Sequence, residues 1–180
     1  MNDRNSYSDG LWLCIIMILL AVASRIIPHP PNFTPIAALG LFSGAYLRMQ
    51  KFWLVPIAAL LLSDMAIGFY NPLVMAFVYG AFVLCAFLGR ALLSERRTVL
   101  MLGGATLSGA ILFFVVSNLG DWLSGLNYPL TWQGLLDCYA MAIPFFGNTL
   151  FGDLFYVVCL FGIFELHGQW SRQARAMPGA

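Results

Sequence analysis

The sequence predicts an all-α integral membrane protein of about six transmembrane helices, a bundle with both termini in the cytoplasm. Of its 180 residues, 61% are hydrophobic and only 9% are charged, whereas soluble domains have about 45–50% apolar and about 25% charged residues. A water-soluble fold of this length has too little interior to bury so many apolar side chains. We expect one transmembrane domain over residues 1–180, with short cytoplasmic tails at about 1–10 and 168–180.

Six apolar segments support the predicted helix count. A spanning helix needs about 20 mostly apolar residues, because backbone polar groups in lipid must pair within the segment. The segments that approach this requirement are Leu11–Ile27, Pro35–Arg48, Phe52–Tyr70, Pro72–Leu92, Val99–Asn118 and Ile143–Leu166. The second is short for a full span, so we expect neighbouring helices to bury it or the preceding loop to extend it. Arg25 inside the first segment and the lack of a small-residue cleavage site predict a retained helix rather than a signal peptide.

The basic residues predict the orientation, because Lys and Arg are retained preferentially on the cytoplasmic side. In a strictly alternating six-span arrangement, eight of the nine basic residues fall on one side. These eight are Arg4, Arg48, Lys51, Arg90, Arg96, Arg97, Arg172 and Arg175. The ninth, Arg25, lies near the outer end of the first helix.

Composition and motifs exclude several functions. A formal net charge of +1 gives a nucleic-acid partner no basic surface to bind. The four cysteines, Cys14, Cys85, Cys138 and Cys159, are widely spaced and form no zinc-binding pattern, so we expect small apolar residues and neither a metal site nor a cofactor. No nucleophile elbow or phosphate-binding loop is present, so an enzyme is not expected. Active transport would draw its energy from a partner or an ion gradient.

The loops predicted to face outward are rigid and rich in polar residues. The first, Pro28–Pro35, holds four prolines, which fix the backbone, and carries His29 and Asn32. The second, around Tyr70 and Asn71, is a tight turn. Convergence of rigid, aromatic and amide-bearing segments on one face is typical of a small-molecule pocket.

The third outward connection, Asn118–Pro144, is long, and loops of that length are usually functional or partly helical. Its aromatic residues have two interpretations. Trp122, Tyr128 and Trp132 could contact a ligand, or they could lie at the membrane interface, where amphipathic rings collect.

Charges within the membrane are costly and therefore informative. Arg25 and Asp64 are expected to pair. The pair could be a buried ion pair that stabilises the bundle, or it could form the polar floor of an outward-facing pocket with His29 and Asn32 at its entrance.

Asp153 near the middle of the sixth helix is expected to form a hydrogen bond with Asn148, with Thr149 or with a neighbouring helix. The predicted substrate-binding residues are Arg25, His29, Asn32, Asp64, Tyr70, Asn71, Asn118, Trp122, Tyr139, Asn148 and Asp153.

Small residues recur at a spacing that lets helices approach closely, as Gly40-x-x-x-Gly44 and Ala105-x-x-x-Gly109. This spacing could serve packing within the bundle or docking of another membrane subunit.

Four segments carry a resemblance to a known group of proteins: Arg25–Leu39, Leu62–Tyr70, Ser117–Leu123 and Ile143–Asp153. In them the chain resembles an uncharacterised bacterial membrane family that is itself similar to the substrate-binding S components of energy-coupling-factor (ECF) transporters. The resemblance implies a six-helix protein of the bacterial cytoplasmic (inner) membrane that binds a vitamin or metal ion from outside. A separate coupling subunit and two ATPases would drive uptake.

The resemblance extends to the solitary cobalamin-transporting S components, so cobalamin or another corrinoid is the first candidate substrate, and a smaller vitamin or cofactor precursor is an equal alternative. The chain departs from the pattern in two places. The first helix offers only Ala21, Ala23 and Ser24 where many S components have an alanine-x-x-x-alanine docking motif. The loop after the third helix lacks the cobalt-ligating cysteine.

Two further hypotheses belong to other classes. The chain could be a non-transporting membrane partner that docks on another subunit through its small-residue faces. It could also be a membrane-embedded enzyme, which would require Asp64 and Asp153 to converge with His29. The different depths expected for these residues argue against the enzyme.

Overall fold

The computed structural model describes the backbone of residues 3–176 and the side-chain surroundings of residues 15–167. Within that range the fold consists of six helices: α1 (Asp3–Ile26), α2 (Ile36–Tyr46), α3 (Leu54–Ile67), α4 (Pro72–Leu93), α5 (Val99–Ser124) and α6 (Trp132–Ala176). The predicted all-helical fold is confirmed. The ends of the predicted tails, and the side chains of Arg4, Cys14, Arg172 and Arg175, lie outside the described residues.

Three of these helices are long and apolar enough to cross a membrane: α4, α5 and the part of α6 at Trp132–His167. The other apolar helical stretches among the residues with described side chains are shorter, namely Ile15–Ile26, Ile36–Tyr46 and Leu54–Ile67. The 11 residues of α2 extend about 16 Å at 1.5 Å per residue, roughly half of a hydrocarbon core of about 30 Å. The fold therefore combines three helices that could span a membrane with shorter apolar stretches packed among them.

The connection between α5 and α6 is much shorter than predicted. The segment Asn118–Pro144 was expected to be a long loop, but only residues 125–131 connect the two helices. Gly125 ends α5 in the left-handed conformation (φ 66°), which glycine adopts without steric cost. Pro144 lies inside α6 rather than at its start, so the proline does not mark a helix end here.

Helix α2 lies at the centre of the bundle. Ten consecutive residues, Ile36 to Ala45, are buried, and α2 contacts all five other helices. A helix that is apolar on every side requires burial on every side. The expectation that neighbouring helices bury the short second segment is confirmed.

The backbones of α2 and α4 approach very closely, because glycines occupy the contact. A Cβ atom on Gly44 would lie 2.0 Å from the carbonyl oxygen of Ala86, and one on Gly89 would lie 2.2 Å from that of Leu41. A Cβ atom on Gly40 would lie 3.2 Å from a backbone oxygen of α4. The Gly40-x-x-x-Gly44 spacing therefore serves packing within the chain.

The second small-residue pair also packs inside the chain. Ala105 and Gly109 are both buried on α5, and a Cβ atom on Gly109 would lie 3.6 Å from the Cys85 sulfur. The two faces through which the docking hypothesis places a partner subunit are thus occupied by helices of the same chain.

Arginines close the C-terminal end of α2. Arg90 donates through Nε to the Gly44 carbonyl oxygen at 2.9 Å and through Nη2 to the carbonyl oxygen of Leu47. Arg97 donates through Nη2 to the Ala45 carbonyl oxygen at 2.9 Å. The last carbonyl groups of a helix lack intrahelical partners, and a cation there also interacts favourably with the helix dipole. The two arginines therefore fix the position of α2 along the bundle.

Aromatic rings hold these arginines in place. The Arg90 guanidinium lies 4.1 Å from the ring centroid of Phe52, and the Arg97 guanidinium lies 4.2 Å from that of Tyr46. Tyr46 also donates its hydroxyl hydrogen to the Glu165 carboxylate. This end of the bundle carries basic residues that were predicted to be cytoplasmic.

The glycine contact gives a matched test within α4. Gly89→Ala places a methyl group against the α2 backbone, and overpacking of this kind costs about 1–3 kcal/mol. Gly80→Ala meets no atom within 4 Å and should be neutral or stabilising by up to about 1 kcal/mol, because alanine favours the helix. Thermal unfolding of both detergent-purified variants measures the difference. Equal unfolding temperatures would contradict the close contact.

Candidate functional site

The site begins with the proline-rich connection between α1 and α2, which passes over the N-terminal end of α2. Asn32 has a positive φ of 63°, a conformation in which asparagine is enriched among non-glycine residues. The amide of Phe33 donates to the Pro30 carbonyl oxygen at 3.0 Å. This turn directs Phe33 away from the loop and towards α6.

Phe33 anchors the loop on α6. Its ring centroid lies 5.9 Å from that of Phe155 and 5.6 Å from that of Tyr156. Gly152 makes room for the contact, since a Cβ atom there would lie 3.0 Å from the Cα atom of Phe33. The loop is consequently held beside Asp153, the next residue of α6.

The predicted pair of Arg25 and Asp64 is confirmed. Arg25 Nη1 lies 2.8 Å from Asp64 Oδ1, and Asp64 is fully buried. The same Nη1 donates to the Ser63 hydroxyl oxygen, so the contact with Oδ1 is an ion contact without an aligned hydrogen bond. Tyr79 donates its hydroxyl hydrogen to Asp64 Oδ2 at 2.8 Å. Asp64 therefore supports Arg25 from within the bundle.

A cavity of about 330 Å³ lies above the N-terminal end of α2. Its polar lining consists of Arg25, His29, Asn32, Thr34, Tyr70, Thr149 and Asp153. Five predicted site residues come together here: Arg25, His29, Asn32, Tyr70 and Asp153. These residues come from α1, from two loops and from α6, so the cavity exists only through tertiary packing.

A second cavity of about 230 Å³ adjoins the first and shares Asn32, Val78, Phe113 and Thr149 with it. Asn118, another predicted site residue, lines this second cavity. Asp121 lines it as well, although it was absent from the predicted site residues.

Five predicted site residues line neither cavity. One is Asp64, which pairs with Arg25, and the other four are Asn71, Asn148, Trp122 and Tyr139. The side-chain oxygen of Asn71 caps α4 by accepting hydrogen bonds from the amides of Leu73 and Val74, at 2.9 and 3.2 Å. Its role in this structure is to begin a helix. Asn148 is half-buried on α6 and also lies outside both linings.

Trp122 and Tyr139 are the other two, and each is engaged with the backbone. Trp122 Nε1 donates to the Pro129 carbonyl oxygen at 3.0 Å, which closes the turn between α5 and α6. Tyr139 donates its hydroxyl hydrogen to the Val115 carbonyl oxygen at 2.7 Å, which joins α6 to α5. Both contacts hold the two helices that form the second cavity.

Asp153 has no hydrogen bond within the described part of the chain, and its Oδ2 is a buried atom without a partner. The side chain is 3% exposed. The predicted hydrogen bond with Thr149 is not formed, because the Thr149 hydroxyl donates to the Phe145 carbonyl oxygen at 3.2 Å. A bond with Asn148 is likewise not observed. Asp153 thus presents unused acceptor capacity to the cavity.

The tautomer of His29, another lining group, is determined by its surroundings. His29 Nδ1 lies 2.7 Å from the Ile27 carbonyl oxygen, so Nδ1 carries hydrogen and donates, which leaves Nε2 for other contacts.

Asp153 and His29 line the same cavity. The expectation that they lie too far apart in depth to meet is therefore wrong for this pair. Thr149 and the ring pair of Phe82 and Phe113 were missed as site residues. Thr149 lies one helical turn before Asp153, a spacing that places both on one face and could have identified it. The two phenylalanines lie among many other apolar residues of α4 and α5 and carry no comparable signal.

The Arg25–Asp64 ion pair predicts that substitutions of its two residues have non-additive effects on stability. Arg25→Met leaves the buried Asp64 carboxylate without a counter-ion, and Asp64→Leu leaves the Arg25 guanidinium without one. Removing one partner of a buried pair lowers the free energy of unfolding by about 3–5 kcal/mol. The double variant leaves neither charge alone, so it should unfold at a higher temperature than either single variant. Thermal unfolding of the three detergent-purified variants measures this. Additive losses would show that the charges do not interact.

Comparison with known proteins gives a family but no function. Neither the curated proteins nor the solved structures contain a match to this chain. Residues 5–176 match the model of DUF6580, which is described as a family of unknown function. Because this match covers nearly the whole sequence, the chain belongs to the DUF6580 family.

Proposed function

We propose that this protein is a multi-pass protein of the bacterial inner membrane that binds a micronutrient in the cavity above α2, as an S-component-like subunit for uptake. One observation carries the proposal. All four segments that resemble S-component-like proteins contribute residues to the two adjoining cavities. These segments are far apart in sequence, so only the tertiary fold brings them to the cavities. A shared binding function accounts for their convergence.

The distribution of charge supports an outward-facing cavity. Basic residues of the α2–α3 and α4–α5 connections lie at one end of the bundle, where Arg90 and Arg97 contact the C-terminal end of α2. The cavity lies at the N-terminal end of the same helix. With the basic end in the cytoplasm, the cavity opens to the outside. Six spans are proposed on the same basis, with the adjoining loops completing the short helices α2 and α3.

The size of the cavity favours a small substrate. A volume of about 330 Å³ lies at the lower end of the roughly 300–1,000 Å³ typical of sites for drug-sized ligands. A vitamin or cofactor precursor with one or two rings suits this volume better than a corrinoid does. Tyr70, Phe82 and Phe113 supply aromatic surface, while the polar groups supply orientation.

Energy for uptake is proposed to come from other chains. The sequence contains no phosphate-binding loop for ATP hydrolysis. An ECF-type coupling subunit with its ATPases, or an ion gradient, would therefore drive release of the ligand into the cytoplasm.

A thermal-stability screen of the detergent-purified protein against vitamins and cofactor precursors, including cobalamin, tests the binding function. A ligand that binds only the folded state raises the unfolding temperature, and the shift grows with the ratio of ligand concentration to dissociation constant. Val78→Trp fills both cavities and should remove the shift. Val115→Trp, on an exposed position of α5 outside both linings, should retain it. A flat response of folded protein across the panel would refute the proposal.

The orientation has its own test. Asn127→Cys in the connection between α5 and α6 should react with a membrane-impermeant maleimide on intact cells, because that connection is proposed to lie outside. Glu95→Cys in the connection between α4 and α5 should react only after the cells are opened. Both positions are exposed, and the unaltered protein gives the background labelling. The reverse pattern would invert the topology.

A further inference from the structure

We propose that the ligand is an organic cation whose positively charged nitrogen pairs with the Asp153 carboxylate. This inference rests on the proposed function, since it takes the cavity above α2 to be the binding site. It adds the chemical class of the ligand and the residue that determines specificity.

The charges around the cavity leave one carboxylate uncompensated. Arg25 is neutralised by Asp64 at 2.8 Å, so this pair contributes no net charge. Asp153 lines the same cavity, is 3% exposed, and forms neither a salt bridge nor a hydrogen bond within the described residues. A buried carboxylate without a partner is costly. A cation in the cavity would offset that cost directly.

The second cavity has the same sign. Asp121 is its charged residue, and none of the described residues that line it is Lys, Arg or His. The Asp121 carboxylate accepts hydrogen bonds from Asn127 Nδ2 at 2.9 Å and from Cys138 Sγ at 3.9 Å, and neither partner adds positive charge. Across the two linings, Asp153 and Asp121 are therefore the described carboxylates that remain to pair with a cation.

The hydrogen bonds of the lining also favour a ligand that donates. Thr149, Ser117 and Asn118 each donate a hydrogen to a backbone carbonyl oxygen four residues earlier, at 3.2, 2.6 and 2.7 Å. The hydroxyl groups of Thr149 and Ser117 have no second hydrogen, so they can only accept from a ligand. The Thr149 side chain, one turn before Asp153 on α6, can therefore accept further hydrogen bonds but cannot donate them.

An aromatic pair argues for an organic rather than an inorganic cation. The rings of Phe82 and Phe113 line the cavity and stack with centroids 4.7 Å apart and an interplanar angle of 26°. Ring faces attract cations and pack against flat organic groups. A metal ion would need several oxygen ligands in place of this apolar wall, and the described residues contain no cluster of three potential metal-binding side chains.

Three probes with one phenyl ring and different head groups test the inference: phenethylammonium, 2-phenylethanol and phenylacetate, with thiamine as a larger cation. We expect phenethylammonium and thiamine to raise the unfolding temperature of the wild-type protein at millimolar concentration, and the alcohol and the anion to have much smaller effects. Asp153→Asn should raise the dissociation constant of the cations about tenfold or more, as loss of a hydrogen bond to a charged group does. Asp137→Asn is the matched control, because Asp137 is exposed on α6 and bonds only to Gln133 among the described residues.

The outcomes separate this inference from the proposed function. A preference for phenylacetate or for the alcohol, or cation binding that Asp153→Asn leaves unchanged, overturns the cation assignment while the cavity remains a binding site. An equal shift with sodium or potassium chloride alone also overturns it, in favour of an inorganic cation. If no probe and no member of the vitamin panel shifts the unfolding temperature, the proposed function itself fails. Should Asp153→Asn not fold, the order of the three probes on the wild-type protein decides.

Discussion

The close approach of α2 and α4 is the contact on which the rest of this structure depends. At Gly44 and Gly89 the backbones of α2 and α4 are so close that no side chain would fit between them. This contact allows the 11-residue apolar helix α2 to be buried along its length. Once α2 is buried, the backbone amide and carbonyl groups left unpaired at its two ends need partners from elsewhere in the chain. Arg90 and Arg97 bind the carbonyl groups at its C-terminal end, whereas its N-terminal end faces a cavity. The same packing thus stabilises the bundle and creates the space for a ligand.

The two ends of the bundle differ in charge, and this difference connects the fold to the proposed function. The end with Arg90 and Arg97 is basic. At the other end Arg25 is neutralised by Asp64, and Asp153 has no partner among the described residues. A helix bundle that only needed stability would gain by replacing a buried, unpaired carboxylate with an apolar residue. The presence of Asp153 beside a cavity is explained if a bound ligand pairs with its carboxylate.

Much of this arrangement could be predicted from the sequence, because hydrophobic segments and isolated charges are strong signals in a membrane protein. Each of the six predicted segments contains a helix, the Arg25–Asp64 pair is present, and His29 and Asn32 line one cavity together. The start of α6 was missed because Pro144 resembles a helix end although the helix continues through it. Phe82 and Phe113 were missed because packing between helices determines which aromatic residues line the cavity. The local spacing of residues in the sequence does not indicate that packing.

Native mass spectrometry of the protein purified from its own membranes tests whether the cavity above α2 holds a small molecule. We expect the wild-type protein to carry a small-molecule adduct, smaller than a phospholipid, and Val78→Trp purified in the same way to lack it. The same adduct on both proteins, or lipid adducts alone on a folded wild-type protein, would show that the cavity is not a small-molecule site.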